Sequence, residues 1–448
     1  MSTAIKRKAS EKGSGETYLI KEPEFKVEGV GAAYRWYVFS ILSLLYLFDY
    51  ADRLVLSSVQ EIIKVEWSLT DTQVSALSSV VVLTVGLLAL PVSFFVDRWS
   101  RRKSIAIMAM AWSLATLAVR FAGSFRQLLF FRGMLGVGEA GYSAGSFPLL
   151  SAYFSREQRA KIFGFFSAFT AIGAAVGVVV GGQVGYTWGW RWAFGVVAVP
   201  GVILAILAWF IKDYKTVEVD QNTKGVGKLV FGTIGKIIRI PSFIFASLGT
   251  MCHDIAFYGL MMWLTSFLIR FRAMEGKEAS STAGIIMIMA LVGAPLGGII
   301  TGWLYKKTPR GRNYMAAFSN ALMAVMILTF CLLSDIPNTT LFIVVGIIMG
   351  ISVTLYIAPD ASINQDIVHQ GYRSVVWGMR IFITMAIGGA MGILLTGILS
   401  DAFESLKVSI MIMSLFGFLG AVFYLIGSRF YEADLAKVKI MHLEEEKK

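Results

Sequence analysis

Two apolar stretches of this chain hold unlike charges. FRGMLGVGEAGYSAGSFPLL (131–150) contains Arg132 and Glu139, and YLFDYADRLVL (46–56) contains Asp49, Asp52 and Arg53. Arg132 and Glu139 are seven residues apart, two turns along one face of an α-helix. Asp49 lies three and four residues before Asp52 and Arg53, which puts all three on one face. Charge inside hydrocarbon is costly, so such groups usually face a water-filled cavity and mark a transport pathway or proton relay. The chemistry expected is proton uptake and release by Glu139 or Asp52 as an arginine partner leaves and returns. A static ion pair that fixes helix register is the alternative.

Three further charges fall in later apolar segments. His253 and Asp254 are adjacent, so on a helix they point about 100° apart. His253 either titrates near neutral pH or donates to a backbone carbonyl at a polar kink. Arg380 either binds an anionic group or extends its charged end to the membrane surface, the role expected of Arg120.

The elements that must position these groups follow from composition. Hydrophobic residues make up 56% and charged residues 16%, with a mean hydropathy of +0.67. A soluble globular chain has roughly 45–50% and 25%. An all-α integral membrane protein is expected, a monomer in contact with the lipid bilayer. Apolar runs long enough to span it occur at 34–59, 72–97, 103–122, 127–154, 158–185 and 191–211, then at 242–271, 278–305, 313–334, 338–366, 372–400 and 404–430. These twelve transmembrane helices form two pseudo-symmetric six-helix bundles, 34–211 and 242–430. The polar segments are an N-terminal tail (1–33), a linker (212–241) and a C-terminal tail (431–448). Within the linker, Val226, Leu229, Val230 and Ile234 against Lys224, Lys228 and Lys236 suit a short surface helix.

The net charge of +12 is a topology signal rather than a nucleic-acid footprint, because Lys and Arg fall in short runs between the spans. Of 41 such residues, 29 lie on the side of the termini and 7 on the other, so both termini are expected in the cytoplasm, in an inner or plasma membrane. The arginines Arg53 and Arg132 then sit roughly 8–9 Å below the outer surface, and Asp49 and Glu139 roughly 15–18 Å deep. Pairing of Arg53 with Glu139, or of Asp52 with Arg132, suits those depths equally. Arg159 and Gly164 before span five match Arg373 and Gly378 before span eleven, the trace of an internal repeat that places a site between the halves. No nucleotide-binding loop or metal-ligand cluster is present, so no cofactor is expected.

Twelve spans as six plus six, with SFFVDRWSRRK (93–103) after span two, resemble the major facilitator superfamily; Ser93 and Ser100 stand where glycines are usual. The resemblance implies a conformational latch made by Asp97, Arg98, Arg101 and Arg102. The counterpart GWLYKKTPRGR (302–312) has no acid, so a single latch is expected. FDYADRLVL with LLFFRGMLGVGEAGYSAGSFPLL resembles the spinster-like branch, with the organic-anion symporters as second choice. That resemblance links Asp52, Arg53, Arg132 and Glu139 to lipid or lysolipid export and proton coupling, whereas His253 and Asp254 fall outside either pattern. The expected function is proton-coupled secondary transport of an organic anion or amphiphilic lipid-like solute, without enzymatic activity. A non-transporting receptor or scaffold of the same fold is the competing reading.

Overall fold

The computed structural model describes residues 30–213, 234–368 and 373–445. Residues 1–29 of the N-terminal tail and most of the expected linker, including its amphipathic stretch up to 233, lie outside the described residues. Every regular element among those described is helical. The first half contains α1 (Ala32–Trp67), α2 (Asp71–Arg98), α3 (Arg101–Val119), α4 (Phe125–Glu139), α5 (Tyr142–Tyr153), α6 (Arg156–Trp188) and α7 (Trp190–Trp209). The second half contains α8 (Pro241–Arg272), α9 (Gly276–Ile288), α10 (Ala290–Lys307), α11 (Gly311–Leu333), α12 (Thr339–Ser352), α13 (Ile357–Asp366) and α14 (Arg373–Ile381). A π-helix (Phe382–Gly389), α15 (Ala390–Ala402) and α16 (Leu406–Glu445) complete it.

Ten helical stretches among the described residues are long and apolar enough to cross a membrane. α1 and the α4–α5 passage are not among the ten, and these are the segments that carry Asp49, Asp52, Arg53, Arg132 and Glu139. Several passages are broken. Pro359 lies inside α13, and the interruption falls at 353–356, just before it. A proline there has no N–H for the carbonyl of residue 355 and its ring crowds that carbonyl.

The glycine strip of α6 lets two backbones meet. Gly173 and Gly177 face the α1 backbone at Leu47 and Ala51, and a Cβ at Gly177 would lie 2.6 Å from the Ala51 Cα. Gly177→Ala should therefore destabilise by about 1–3 kcal/mol through overpacking. Gly164→Ala, with no neighbour within 4 Å, serves as control in a thermal melt; equal melting temperatures would refute the close-approach role.

Three apolar cores among the described residues are distributed unevenly. At the end of the molecule reached by residues 60–75, one core joins both halves, with Val55, Val59 and Phe194 alongside Leu260, Phe267 and Ile393. At the opposite end, where α1 begins, each half has its own. Leu42, Tyr142 and Phe166 belong to one, and Phe243, Ile363 and Tyr424 to the other. The halves thus share one core at the far end and keep separate cores at the near end, where α2 and α14 still touch through Leu90 and Gly378.

Loops at the far end are tied by an ion pair. Lys407 Nζ lies 2.5 Å from Asp335 Oδ2, and this hydrogen bond holds the Asp335 carboxyl below its ordinary value of 3.8. With the folded value depressed, its contribution is present above the unfolded pKa and is lost as pH falls through the folded one. Asp335→Asn should flatten the acid limb of a stability–pH curve, and an unchanged limb would show that the pair contributes nothing.

Candidate functional site

α1 and α4 bring the first set of charges together. Arg53 Nε donates to Glu139 Oε2 at 2.7 Å, and Arg53 Nη2 to Asp49 Oδ2 at 3.2 Å. Its guanidinium also lies 4.8 Å from the Tyr50 ring centroid. Of the two pairings left open, the structure forms Arg53–Glu139. Arg132 is spent on backbone instead, donating to the carbonyls of Leu77, Asp52 and Arg53 at 3.1, 3.0 and 3.3 Å. Those bonds fasten α4 to α2 and α1 and leave the Asp52 side chain without its arginine. Both Asp52 carboxyl oxygens and Glu139 Oε1 are buried with no hydrogen-bond partner. Small residues make this possible: a Cβ at Gly136 would lie 2.7 Å from the Val81 carbonyl oxygen, and one at Gly138 would lie 2.6 Å from Trp112 N.

A second network occupies the other half. His253 donates from Nε2 to the Val353 carbonyl at 3.1 Å, the backbone-bonded role that was one of its two expectations. Its ring lies 3.6 Å from that of Tyr356, whose hydroxyl donates to Asp254 at 3.1 Å. Asp254 Oδ2 is buried and unpartnered. Arg380 does not reach for the membrane surface; its Nε donates to Asp360 Oδ2 at 2.6 Å. Asp360, fully buried, also accepts from Thr250 and Tyr424 at 2.7 Å and from Asn364 at 3.0 Å. Sequence reasoning passes over Asp360, although an acid after a proline within an apolar run was a signal.

At the far end, charged groups join the halves. Arg270 donates to Asp71 from Nη1 at 2.6 Å and to Glu61 from Nε at 3.0 Å. Asp71 also receives Lys64 at 2.5 Å and Ser400 at 2.6 Å. Asp401 accepts from the backbone N–H groups of Asp71 and Thr72 at 2.9 and 2.7 Å, anchoring the start of α2 to α15.

Near-end contacts bear on the expected latch. The side chains of Asp97 and Arg98 lie outside the described set. Arg101 opens α3, Arg102 donates to the Ile211 carbonyl at 3.1 Å, and Ser100 bonds Asp213. In the second half Arg312 finds an acid after all, in Asp366 of α13, with Tyr431 beside both. The second-half loop, read as lacking an acid of its own, thus has an acidic partner for Arg312. The acid comes from a different span, so it is invisible in the loop's own sequence.

A family model described as Major Facilitator Superfamily matches residues 42–392. The chain belongs to the major facilitator superfamily. Protein spinster of Drosophila melanogaster is 26% identical over 392 residues, covering 84% of this chain; the chain spans 64% of that protein's length. The hexuronate transporter of Bacillus subtilis is 23% identical over 380 residues, covering 81% of this chain and 87% of the transporter. Among solved structures, a bacterial homolog of the human lysosomal transporter Spinster, in an inward-facing, unoccupied conformation, superposes with a TM-score of 0.78. It is 22% identical and covers 90% of this chain and 99% of its own. The spinster resemblance seen in spans one and four thus extends over most of this superfamily member.

Proposed function

We propose that the chain is a secondary active transporter, driven by protons, that moves an organic anion or amphiphilic lipid-like solute by alternating access. Twelve spans would form two six-helix bundles, 34–211 and 242–430, which rock about the site between them. The observation that carries this reading is Arg53 shared between Glu139 and Asp49, beside a third acid, Asp52, whose buried carboxyl oxygens have no hydrogen-bond partner. An arginine shared by two acids has alternative partners, and its departure from Glu139 leaves a buried carboxyl that must take a proton. Rocking of α1 against α4 would couple that exchange to access.

A core shared by the halves at the far end, against separate cores at the near end, supports a state open toward the termini, as in the inward-facing bacterial relative. With the termini cytoplasmic in an inner or plasma membrane, that opening faces the cytoplasm. The loop carrying Asp97, Arg98, Arg101 and Arg102, with Asp213, would act as the near-end latch, and Arg312–Asp366 as its second-half counterpart. His253, Asp254 and Arg380 would form the second wall of the solute site.

The decisive experiment reconstitutes purified protein in liposomes and compares glucuronate and lysophospholipid flux with and without an imposed pH gradient. Accumulation that follows the gradient supports the proposal. Binding without counterflow would favour the receptor reading and reject transport.

A further inference from the structure

We propose that Arg380 is an anion receptor whose place is kept by Asp360, so that an oxyanion on the solute, carboxylate or phosphate, takes the guanidinium by displacing that carboxylate. This rests on the transport reading only in taking the anion to be the transported solute.

The two partners are unequally placed. Asp360's side chain is fully buried, whereas 14% of Arg380's is exposed. Arg380 uses only Nε on Asp360, and neither Nη is among the sealed, unpartnered polar atoms of the described residues. The Nη edge of the guanidinium, the edge that binds an oxyanion through two parallel N–H bonds, is not used on Asp360, and the side chain keeps some exposure. Trp377 lies beneath it, 5.2 Å from ring centroid to Cζ, and holds the plane.

Asp360 is equipped to let go. Thr250, Tyr424 and Asn364 all donate to its Oδ1, and Arg380 alone serves Oδ2. After Arg380 turns to a solute, the carboxylate keeps three neutral donors and is not stranded. Local backbone adds freedom: the π-helix Phe382–Gly389 begins two residues after Arg380, and wide turns of this kind recur at functional sites.

The test measures binding to purified full-length protein in detergent by calorimetry and thermal shift. Glucuronate and a lysophosphatidylglycerol are the anionic probes, glucose and a monoacylglycerol their neutral controls. Asp360→Asn removes the competing charge and should tighten binding of at least one anionic probe by about tenfold. Arg380→Gln should abolish that binding, and the neutral controls should not respond. Thr250→Val weakens the reserve, binds Asp360 more firmly to Arg380 and should lower anion affinity; it serves if Asp360→Asn does not fold. Unchanged or weaker anion binding in folded Asp360→Asn, or unchanged binding in Thr250→Val, overturns the proposal. So does the absence of binding by either anion to every variant, even if wild-type protein moves solute across liposomes. Conversely, binding as expected without flux leaves the receptor standing and removes the transport reading.

Discussion

Glu139→Gln is expected to abolish the pH-gradient-driven component of flux in proteoliposomes while leaving counterflow of bound solute. The side chain is buried, one of its oxygens accepts Arg53 Nε at 2.7 Å and the other has no partner. An amide fills the same space and still accepts a hydrogen bond, but it neither binds a proton in this range nor holds a cation by charge. Rocking would then proceed without a proton to carry. Arg53→Ala is harsher, because it leaves Glu139 and Asp49 buried together without their cation. Removing one partner of a buried ion pair costs about 3–5 kcal/mol, so this variant should lose both stability and transport. Arg132→Ala should act mainly on stability, since its donors serve backbone carbonyls. Gradient-driven flux at the wild-type level in Glu139→Gln would remove the proton role from this cluster.

The second large effect lies at the far end. Arg270 bridges Glu61 and Asp71 from the other half, and Ser400 adds a third contact to Asp71. Arg270→Gln should shift the equilibrium toward the state open at that end by about 2–5 kcal/mol, the usual cost of truncating a desolvated charge pair. The lower figure is already roughly a thirtyfold change in the ratio of states. Ser266, fully buried beside Gln60 at this seam, gives the readout. A cysteine placed there should react with a membrane-impermeant maleimide from the far side much faster in the Arg270→Gln background. Equal labelling rates would show that the apolar core alone holds the end shut.

Much of the architecture was legible in the sequence because its causes are local. Runs of apolar residues long enough for hydrocarbon announce the helices, and spacings of three, four and seven announce which charges share a face. Gly173, Gly177 and Gly181 recur every four residues, the spacing of a close backbone approach, and α1 makes that approach. The five charges of spans one and four were found on the same grounds, with their pairing left open.

Tertiary structure decided that pairing. Arg132 turned to three carbonyls on neighbouring helices, which freed Arg53 for Glu139 and left Asp52 alone. It also paired Asp360 with Arg380 and Asp366 with Arg312, acids and bases from different helices. Finally, it joined the cores of the two halves at one end and parted them at the other. The physical reason is common to all three. Periodicity fixes the face on which a side chain stands, whereas its partner depends on how helices distant in sequence pack, and close-packed interiors admit few such arrangements.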